Sequence, residues 1–466
     1  MIGPLSKAPR LRVMGLLAAG VLQLSAWWWI RQLGDLSLHV HELWWSLLPI
    51  LAGYCLAALA CRGGQMAHSG IIIVGVALCS RLLLLDTAPT LSDDIYRYVW
   101  DGRVQAAGLN PYSHAPEHDS RTGLRDDDWS QINHPELVTV YPPVAQWFFH
   151  AVVRLAPGVT AMKAALVACD LLLIFVLWRW LRRRSQAGWR ILLYAWHPLP
   201  VIEIAGNGHV DILGVLCLCT ALLWLCGDRR HLAAWALAAA VLGKMIPLLC
   251  LGAFWRRLAP DRSSRWLRTI DPRPRLSLLW VPVLVVTAYL PFLEAGAAMW
   301  SGLSAYAVKW RFNDSAYGLV YRFLSNPKPG WEWDDEALLT ARWVCLGGVA
   351  LVALWTALRH GDDVAVGCAA VLGAQLLLAP TVHPWYMLWV LPFMVLRPHP
   401  AWMAFSWLVF LPYHVLLDYR NSGVWQESTS IRLLEYVPVY LLLLWPVWRL
   451  ICSWRRNERR VLTSVG

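Results

Sequence analysis

Residues 276–296 read LSLLWVPVLVVTAYLPFLEAG, and the first charged side chain in this stretch is Glu294. An apolar run of this length without charge is long enough to cross a bilayer as a helix. Similar runs recur along the chain, which has 466 residues, of which 58% are hydrophobic and only 15% are charged. A soluble protein carries about 25% charged residues. The sequence therefore predicts a single membrane-embedded domain over residues 1–466.

The apolar runs predict an all-α polytopic fold, because a helix satisfies its backbone hydrogen bonds internally within lipid. Twelve runs are predicted to span the membrane: residues 11–30, 43–60, 69–86, 160–180, 190–204, 209–226, 276–296, 341–359, 364–379, 385–396, 400–417 and 436–453. A further apolar segment, residues 231–255, has basic residues at both ends and Gly243-Lys244-Met245-Ile246-Pro247 in its middle. It is predicted to be a re-entrant hairpin that enters and leaves on one side.

The arginine clusters predict which loops are cytoplasmic, because cytoplasmic loops of membrane proteins carry an excess of Lys and Arg. The clusters assigned to the cytoplasm are Arg182–Arg184, Arg256, Arg257, Arg262, Arg265, Arg268, Arg455, Arg456, Arg459 and Arg460. Both termini are then cytoplasmic. Three outer regions follow from this arrangement: a first loop of residues 87–159, a second loop of residues 297–340 and a third of residues 418–435.

One amphipathic segment of the first outer loop conflicts with a simple spanning interpretation. If residues 143–156 crossed the membrane, Arg182–Arg184 would lie outside the cell. The segment is also short and carries His150 and Arg154. It is therefore predicted to be an interfacial helix on the outer face.

The formal charge of +11 does not indicate nucleic-acid binding, because the arginines lie beside apolar runs and set topology. The 11 cysteines include none in the long polar loops and no CxxC pair, so neither a disulfide framework nor a zinc site is predicted. No HExxH or similarly tight ligand spacing occurs. We therefore expect no cofactor and do not favour a divalent metal.

The first outer loop opens with paired carboxylates directly after a predicted span. Residues 91–103 read LSDDIYRYVWDGR, which places Asp93 and Asp94 at the membrane surface. An ionised carboxylate there can accept a proton from a hydroxyl. Desolvation and the second carboxylate would raise its pKa, and Arg97 would oppose that shift. The alternative is that the pair only caps a loop helix, where Ser and Asp are common.

The stretch Ser92–Gly102, together with Asn110-Pro111-Tyr112 and Tyr141-Pro142-Pro143, carries a family resemblance. It is similar to bacterial polyprenol-phosphate-mannose-dependent mannosyltransferases of the GT-C glycosyltransferase superfamily. The similarity is specific in the first outer loop and weak in the last third of the chain. It implies a GT-C-like helical bundle with juxtamembrane helices in that loop. It also implies a sugar donor on polyprenyl phosphate, inversion at the anomeric carbon, and a periplasmic active site at the bacterial inner membrane.

The resemblance also implies roles for individual residues. The base is Asp94 or Asp93, and Asp94 is preferred because its spacing to Arg97 and Tyr98 matches the acid-x-x-Arg-Tyr arrangement of the family. The residues of the matched stretch that are implied to bind substrate are Arg97, Tyr98, Asn110 and Tyr112.

Two polar elements lie near predicted helix ends or breaks. Lys244 at the hairpin hinge is a candidate for the donor phosphate, because cations at membrane depth are costly and often functional. Its alternative is to snorkel to water or to pair with a structural acid. The turn Asn207-Gly208-His209-Val210-Asp211 is similar to a Gly-His-x-Asp element of the family, so His209 and Asp211 are candidates to orient sugar or phosphate. Its alternative is a tight turn with a capping role.

Two aromatic elements complete the predicted site. In Trp310-Arg311-Phe312-Asn313-Asp314, the Arg311 guanidinium can donate two hydrogen bonds to a phosphate, and the rings of Trp310 and Phe312 can stack on a sugar. The alternative is a solvated loop. In His383-Pro384-Trp385-Tyr386, His383 can donate to phosphate and Trp385 can pack on sugar or lipid, unless the element is an interfacial aromatic anchor. The candidates from these elements are Arg311, Asn313, Asp314, His383, Trp385 and Tyr386.

The sequence thus predicts an inverting transferase that moves a hexose, with mannose implied by the resemblance, from a polyprenyl-phosphate donor to a hydroxyl of a glycan, lipid or protein. A lipid-linked pentose or aminosugar donor would fit the same residues. The competing class is a polytopic transporter or lipid flippase, in which internal repeats are common. No repeat is visible here, and the polar residues concentrate in one outer loop. A non-catalytic scaffold is the remaining alternative.

Overall fold

The computed structural model describes residues 7–62, 69–258, 273–326, 334–358 and 363–445. Within these ranges the secondary structure is helical, apart from one isolated parallel bridge between Phe312 and Thr381. The predicted all-α fold is therefore confirmed. Six helical stretches of the described residues are long and apolar enough to cross a membrane: Arg10–Leu33, Val40–Arg62, Val159–Arg183, Arg275–Lys309, Asp335–Leu358 and Pro400–Ser422.

The first half of the chain contains three apolar helices, two loop helices and a further long helix. Their bounds are α1 Lys7–Leu33, α2 Val40–Arg62, α3 Ser69–Leu85, α4 Asp94–Ala106, α5 Pro143–Leu155 and α6 Val159–Arg183. The loop between α4 and α5 also contains two 3₁₀ turns, Asp119–Leu124 and Asp127–Gln131. Helix α5 confirms that residues 143–156 are helical. It packs against α4, α6 and α10, and its position relative to lipid stays a prediction.

The segment predicted as a continuous span over residues 190–204 is broken, so that prediction is wrong. It consists of a 3₁₀ turn Gly188–Ile191, then α7 Leu192–Ala195, α8 Pro198–Pro200 and a π-helical turn Val201–Gly206. Pro198 and Pro200 lack the backbone donors that a continuous helix needs. The broken segment is nearly all buried, because it runs through the centre of the bundle. Irregular backbone at membrane depth is tolerated when protein surrounds it.

The predicted hairpin is present as a chain path. Helix α9 Asp211–Leu225 is followed by α10 Arg230–Gly243, an extended Lys244, a 3₁₀ turn Ile246–Cys250 and α11 Leu251–Arg257. The Arg257 guanidinium lies 3.5 Å from the Asp228 carboxylate, which precedes α10. The two ends of the hairpin therefore meet at one end of the bundle, and Lys244 lies at the far end of α10.

The basic residues predicted to be cytoplasmic gather at that same end, which we call the basic end. Arg184 pairs with Asp363 at 2.5 Å, and the Arg183 guanidinium packs against Gly227. Helix α9 runs from this end to Asp211, so Asp211 and Lys244 lie at the opposite end. Other basic residues assigned to the cytoplasm lie outside the described residues: Arg262, Arg265, Arg268, Arg455, Arg456, Arg459 and Arg460.

The remaining helices complete the bundle around the broken segment. Their bounds are α12 Trp280–Tyr289, α13 Ser301–Lys309, α14 Ala316–Leu324, α15 Asp335–Leu358, α16 Val364–Leu378, α17 Leu391–Leu396, α18 Pro400–Leu408, α19 His414–Ser422 and α20, residues 429–445. The part of the last predicted span beyond residue 445 lies outside the described residues. The second predicted outer loop is largely helical, through α13 and α14.

Additional 3₁₀ segments join these helices: Arg273–Leu279, Leu290–Trp300, Pro384–Trp389 and Leu411–Tyr413. The predicted span over residues 385–396 is a 3₁₀ turn followed by the six residues of α17. That prediction of a continuous spanning helix is wrong, because Pro384 and Pro392 each remove a donor and the segment is buried in protein.

A fully buried ionic triad ties three parts of the bundle together. Arg81 of α3 donates from Nε to Asp170 of α6 at 2.6 Å and from Nη1 to the carbonyl of Ala195 at 2.7 Å. The hydroxyl of Tyr194 donates to the same carboxylate at 2.6 Å. All three side chains are inaccessible to solvent. Since Tyr194 and Ala195 belong to α7, the triad anchors the broken segment to α3 and α6.

Candidate functional site

The two adjacent carboxylates at the start of α4 have different surroundings. Asp94 is the first residue of the helix, its side chain is 26% exposed, and it accepts a hydrogen bond from Asn133 Nδ2 at 3.2 Å. Asp93 is exposed, forms no capping hydrogen bond with its side chain, and experiences the charges of Arg420 and Asp35. The capping alternative therefore fails for Asp93, and the two carboxylates face different neighbours.

Burial raises the pKa of Asp94 above its ordinary value, and the charges of Asp211 and Asp93 raise it further. The hydrogen bond from Asn133 and the charge of Lys244 act in the opposite direction. Arg97 was expected to oppose the rise. Instead, the Arg97 guanidinium pairs with the Asp101 carboxylate at 3.0 Å and donates to the carbonyl of Leu137. Its positive charge is therefore compensated by another residue of the first loop.

His209 lies directly behind Asp94. Its Nδ1 is 3.8 Å from Asp94 Oδ2, its Nε2 is 3.3 Å from Glu203 Oε2, and its side chain is inaccessible to solvent. Gly208 makes this placement possible, because it has a positive φ of 77° and any Cβ there would meet Ile95 of α4 at 2.3 Å. The turn thus brings an imidazole to the start of α4.

Asp211 and Lys244 form an ion pair beside this group, in which Asp211 is buried and Lys244 is partly exposed. Lys244 Nζ donates to both Asp211 oxygens at 2.8 and 2.7 Å, and Trp389 Nε1 donates to Asp211 at 2.7 Å. Lys244 also lies 4.7 Å above the ring of Tyr386 and keeps 21% of its side chain exposed. The alternative that Lys244 pairs with an acid is confirmed, and the pair lies close enough for both charges to act on Asp94.

Four rings stack in a row beside the carboxylates. His209 stacks on Trp385 with 3.7 Å between ring centroids, Trp385 stacks on His383 at 4.3 Å, and His383 stacks on Phe312 at 5.0 Å. The Phe312–Thr381 bridge holds the second outer loop against the segment that carries His383. The structure therefore brings His209, His383, Trp385 and Tyr386 together, as predicted.

Arg311, Asn313 and Asp314 do not point to a free phosphate position. Arg311 and Arg432 both pair with the Asp314 carboxylate, which is almost fully buried. The Asn313 backbone donates to Glu427 at 2.8 Å, and its carbonyl accepts from Tyr436 at 2.8 Å. These contacts dock the second outer loop onto α20. The binding roles predicted for these three residues stay predictions, and in the structure Arg311 shares the Asp314 carboxylate with Arg432.

The remaining residues of the first loop have packing roles. Tyr98 stacks on Phe149 of α5 at 4.8 Å. Asn110 donates to the carbonyl of Phe292 at 3.1 Å, and Tyr112 donates to the carbonyl of Tyr141 at 2.6 Å. Tyr112 also packs edge-on against Phe292 with 5.0 Å between ring centroids, so Asn110 and Tyr112 both hold the loop to the segment before α13.

Sequence reasoning missed Glu203 and Trp389. Both fell inside apolar runs that were assigned as spans, and Glu203 is fully buried. A single acid inside such a run is itself a functional signal, so the rule for intramembrane charges would have found Glu203. Trp389 gave no signal, because 31 tryptophans occur along the chain.

The described residues thus form a helical body that carries a carboxylate, an ion pair and stacked rings at one end, and six of its helical stretches are apolar enough to cross a membrane. The chain belongs to the family described as "Alpha-(1->6)-mannopyranosyltransferase, N-terminal domain", whose model matches residues 5–259. A second model, described as "MptB C-terminal domain", matches residues 332–412. The family resemblance seen in the first outer loop is thereby confirmed.

A curated relative, alpha-(1->6)-mannopyranosyltransferase B of Corynebacterium glutamicum, is 24% identical over 339 residues. The matched part is 66% of this chain and 55% of the relative, so the chain spans about half the length of the relative that it matches. No solved structure matches the chain.

Proposed function

We propose that the protein is an inverting mannosyltransferase that uses a polyprenyl-phosphate-linked mannose and works at the periplasmic face of a bacterial inner membrane. Family membership supports the mannosyl group. The resemblance of the first outer loop supports the lipid-phosphate donor and the inversion. The gathering of arginines at the basic end, opposite Asp94 and Lys244, supports a periplasmic site with both termini in the cytoplasm.

The observation that carries this proposal is the environment of Asp94. An acceptor hydroxyl becomes a useful nucleophile when a positioned base removes its proton. Asp94 is the partly exposed carboxylate of the group, whereas Asp211 is almost fully buried and held by Lys244 and Trp389. Asp94 therefore has a face available for an acceptor hydroxyl and acts as the base. Asp93 faces Arg420 and Asp35 and has no such role.

Lys244 is the group that we assign to the donor phosphate. Negative charge grows on the lipid phosphate as the sugar leaves, and a nearby cation stabilises it. Of the three cations considered from the sequence, Arg311 is held by Asp314, and His383 is stacked between Trp385 and Phe312. Lys244 and Arg311 are exposed to a similar extent and each pairs with an aspartate, so what distinguishes Lys244 is that its charge acts on Asp94. Its ammonium can therefore contact a phosphate beside the base while it keeps Asp211.

The function is tested with the purified protein in lipid nanodiscs and radiolabelled donors. We expect transfer from polyprenyl-phosphate-mannose to a mannoside with a free 6-hydroxyl, with an α-linked product. The alternatives in the same assay are a nucleotide-linked mannose, a lipid-linked pentose and a lipid-linked aminosugar. We assign no metal to the site, so a chelator should leave transfer intact. Movement of the lipid donor across the membrane of a proteoliposome without any transfer would instead identify a flippase.

Replacing Lys244 by Met should raise the donor KM by roughly 10- to 100-fold, because a charge-assisted contact to phosphate is lost. The same variant leaves Asp211 without its cation, so Lys244→Arg is the accompanying variant and should restore much of the donor affinity. Lys309→Met at the exposed end of α13 is the matched control. A donor KM unchanged in Lys244→Met, in protein with an unchanged Tm, would remove Lys244 from this role.

The pH dependence of kcat/KM should report the raised pKa of Asp94. A base must be deprotonated, so kcat/KM is lost as the pH falls through the pKa of Asp94. Burial raises that pKa, so the acid limb should lie above the ordinary aspartate value of about 3.9. Because the charge of Lys244 lowers the pKa, Lys244→Met should displace the limb to higher pH. An acid limb at or below the ordinary value would contradict the assignment.

A further inference from the structure

His209 is positioned between two carboxylates with neither ring nitrogen hydrogen-bonded. Its Nδ1 faces Asp94 at 3.8 Å and its Nε2 faces Glu203 at 3.3 Å. Both nitrogens are buried, and neither has a hydrogen-bond partner among the described residues. Buried polar groups are normally paired, and the exceptions call for a physical reason. A ring between two acids can pass a proton from one side to the other.

The surroundings of His209 fix both its plane and its direction. One face stacks on Trp385 at an interplanar angle of 16°, and Gly208 holds the preceding backbone against Ile95 of α4. The imidazole therefore has little freedom to rotate away from Asp94. A short shift of either partner would convert both contacts into hydrogen bonds.

Glu203 is held just as firmly behind the ring. The hydroxyl of Tyr413 lies 2.9 and 3.0 Å from its two oxygens, and Asn207 Nδ2 donates to Oε2 at 3.4 Å. Donors that reach both oxygens suit an ionised carboxylate, which only accepts hydrogen bonds. Glu203 belongs to the π-helical turn Val201–Gly206. Single π turns inside helical segments often occur at functional sites.

We propose, on the basis of the proposed function, that His209 and Glu203 form a proton relay behind Asp94. The acceptor O–H bond breaks as Asp94 takes the proton, and the new O–H bond of Asp94 then breaks as Nδ1 of His209 takes the proton. The N–H bond at Nε2 breaks in turn as Glu203 Oε2 takes that proton, so Asp94 is ionised again, His209 is neutral and Glu203 holds the proton. Once the product has left, the same transfers run in reverse, and the proton passes from Asp94 to water at its exposed side. Glu203 and His209 are positioning residues, since neither touches the substrate.

Other charged and titratable groups surround this relay and contribute to its pH dependence. Those whose electrostatic interaction with Asp94, His209 or Glu203 is evident are Asp93, Asp211, Lys244, His383, Tyr98, Tyr141, Tyr306, Tyr386 and Tyr413. Lys244 is the one cation in this group that faces both Asp94 and His209. Replacing Lys244 should therefore displace the pH profile of kcat/KM in the direction opposite to the displacement caused by replacing Glu203.

The test compares Glu203→Gln and His209→Gln with His197→Gln. Gln at 203 keeps the shape of the side chain and one acceptor oxygen for Tyr413 or Asn207 but removes the charge. His197 is the matched control, because it is equally buried in the same broken segment and pairs with Ser406 at 2.9 Å, away from Asp94. We expect the two relay variants to lower kcat by roughly 10- to 100-fold, the loss that is typical when a residue that orients a functional group is removed. The donor KM should stay unchanged. Glu203→Gln should also displace the acid limb of kcat/KM to lower pH, because a negative charge near Asp94 is removed.

Three outcomes would overturn the relay. Wild-type kcat and pH profile in Glu203→Gln would show that the carboxylate is not used. A loss of kcat that accompanies a lower Tm, with no shift of the acid limb, would show a purely structural role. A loss of the same size in His197→Gln would show that burial of a polar side chain alone explains the effect. Asp94→Asn distinguishes these failures from a failure of the proposed function, since it should be inactive even if the relay is absent.

Discussion

Replacing Asp94 by Asn is expected to reduce mannosyl transfer by about 10²–10⁴-fold, the contribution that a general base makes. Asn has the same shape as Asp and its oxygen still accepts a hydrogen bond from Asn133, so the loop should keep its structure. What it loses is the ability to take a proton from the acceptor. The expected signature is a large loss of kcat, an almost unchanged donor KM and an unchanged Tm.

Asp93→Asn is the matched control for Asp94→Asn. It removes a carboxylate from the adjacent position, but Asp93 is exposed and faces Arg420 and Asp35. We expect it to keep turnover within about 3-fold of the wild type, as is usual for surface changes. Wild-type turnover in Asp94→Asn would remove Asp94 as the base. An equal loss in Asp93→Asn would show that the two carboxylates act together.

Replacing Asp170 by Asn should give the largest loss of stability, about 3–5 kcal/mol, because it leaves Arg81 as an uncompensated charge inside the bundle. The triad joins α3, α6 and α7, so its loss should also loosen the broken segment that leads to Glu203 and His209. The measurement is the thermal unfolding midpoint in detergent, together with the fraction of protein that stays monodisperse.

Two further variants separate the charge effect from the packing effect. Arg81→Met combined with Asp170→Leu removes both charges and should recover much of the loss, because an apolar pair carries no desolvation cost. Asp86→Asn breaks the exposed pair with Arg31 and should leave the thermal unfolding midpoint almost unchanged, because solvent screens exposed ion pairs. If the double variant is less stable than Asp170→Asn, the explanation by unpaired charge is wrong.

Much of the fold follows from the length and charge of the apolar runs. These predict the helices α1, α2 and α6, the helical residues 143–156 and the break at Lys244. They fail at residues 190–204 and 385–396, where buried segments are as apolar as spans. Hydropathy cannot distinguish protein surroundings from lipid, and the prolines in these segments were the missed signal.

The site was predicted in outline, because charged and aromatic residues at helix ends were its signal. Asp94, His209, Asp211, Lys244, His383, Trp385 and Tyr386 come together as expected. The partner of each charge could not be read from the sequence. Arg311 was predicted to bind phosphate and Arg97 to act on the paired carboxylates, but in the structure they pair with Asp314 and Asp101. Pairing depends on contacts between distant segments, which local patterns do not specify.

The π-helical turn Val201–Gly206 contains about one more residue than an α-helical turn would. A one-residue deletion within it could therefore give an ordinary α-helical turn without rotating the later side chains, so the imidazole of His209 would still face Asp94. A one-residue deletion in helical residues outside the turn would instead rotate every later side chain by about 100° around the axis. The extra residue thus marks the place where this segment can change length while His209 stays aligned with Asp94.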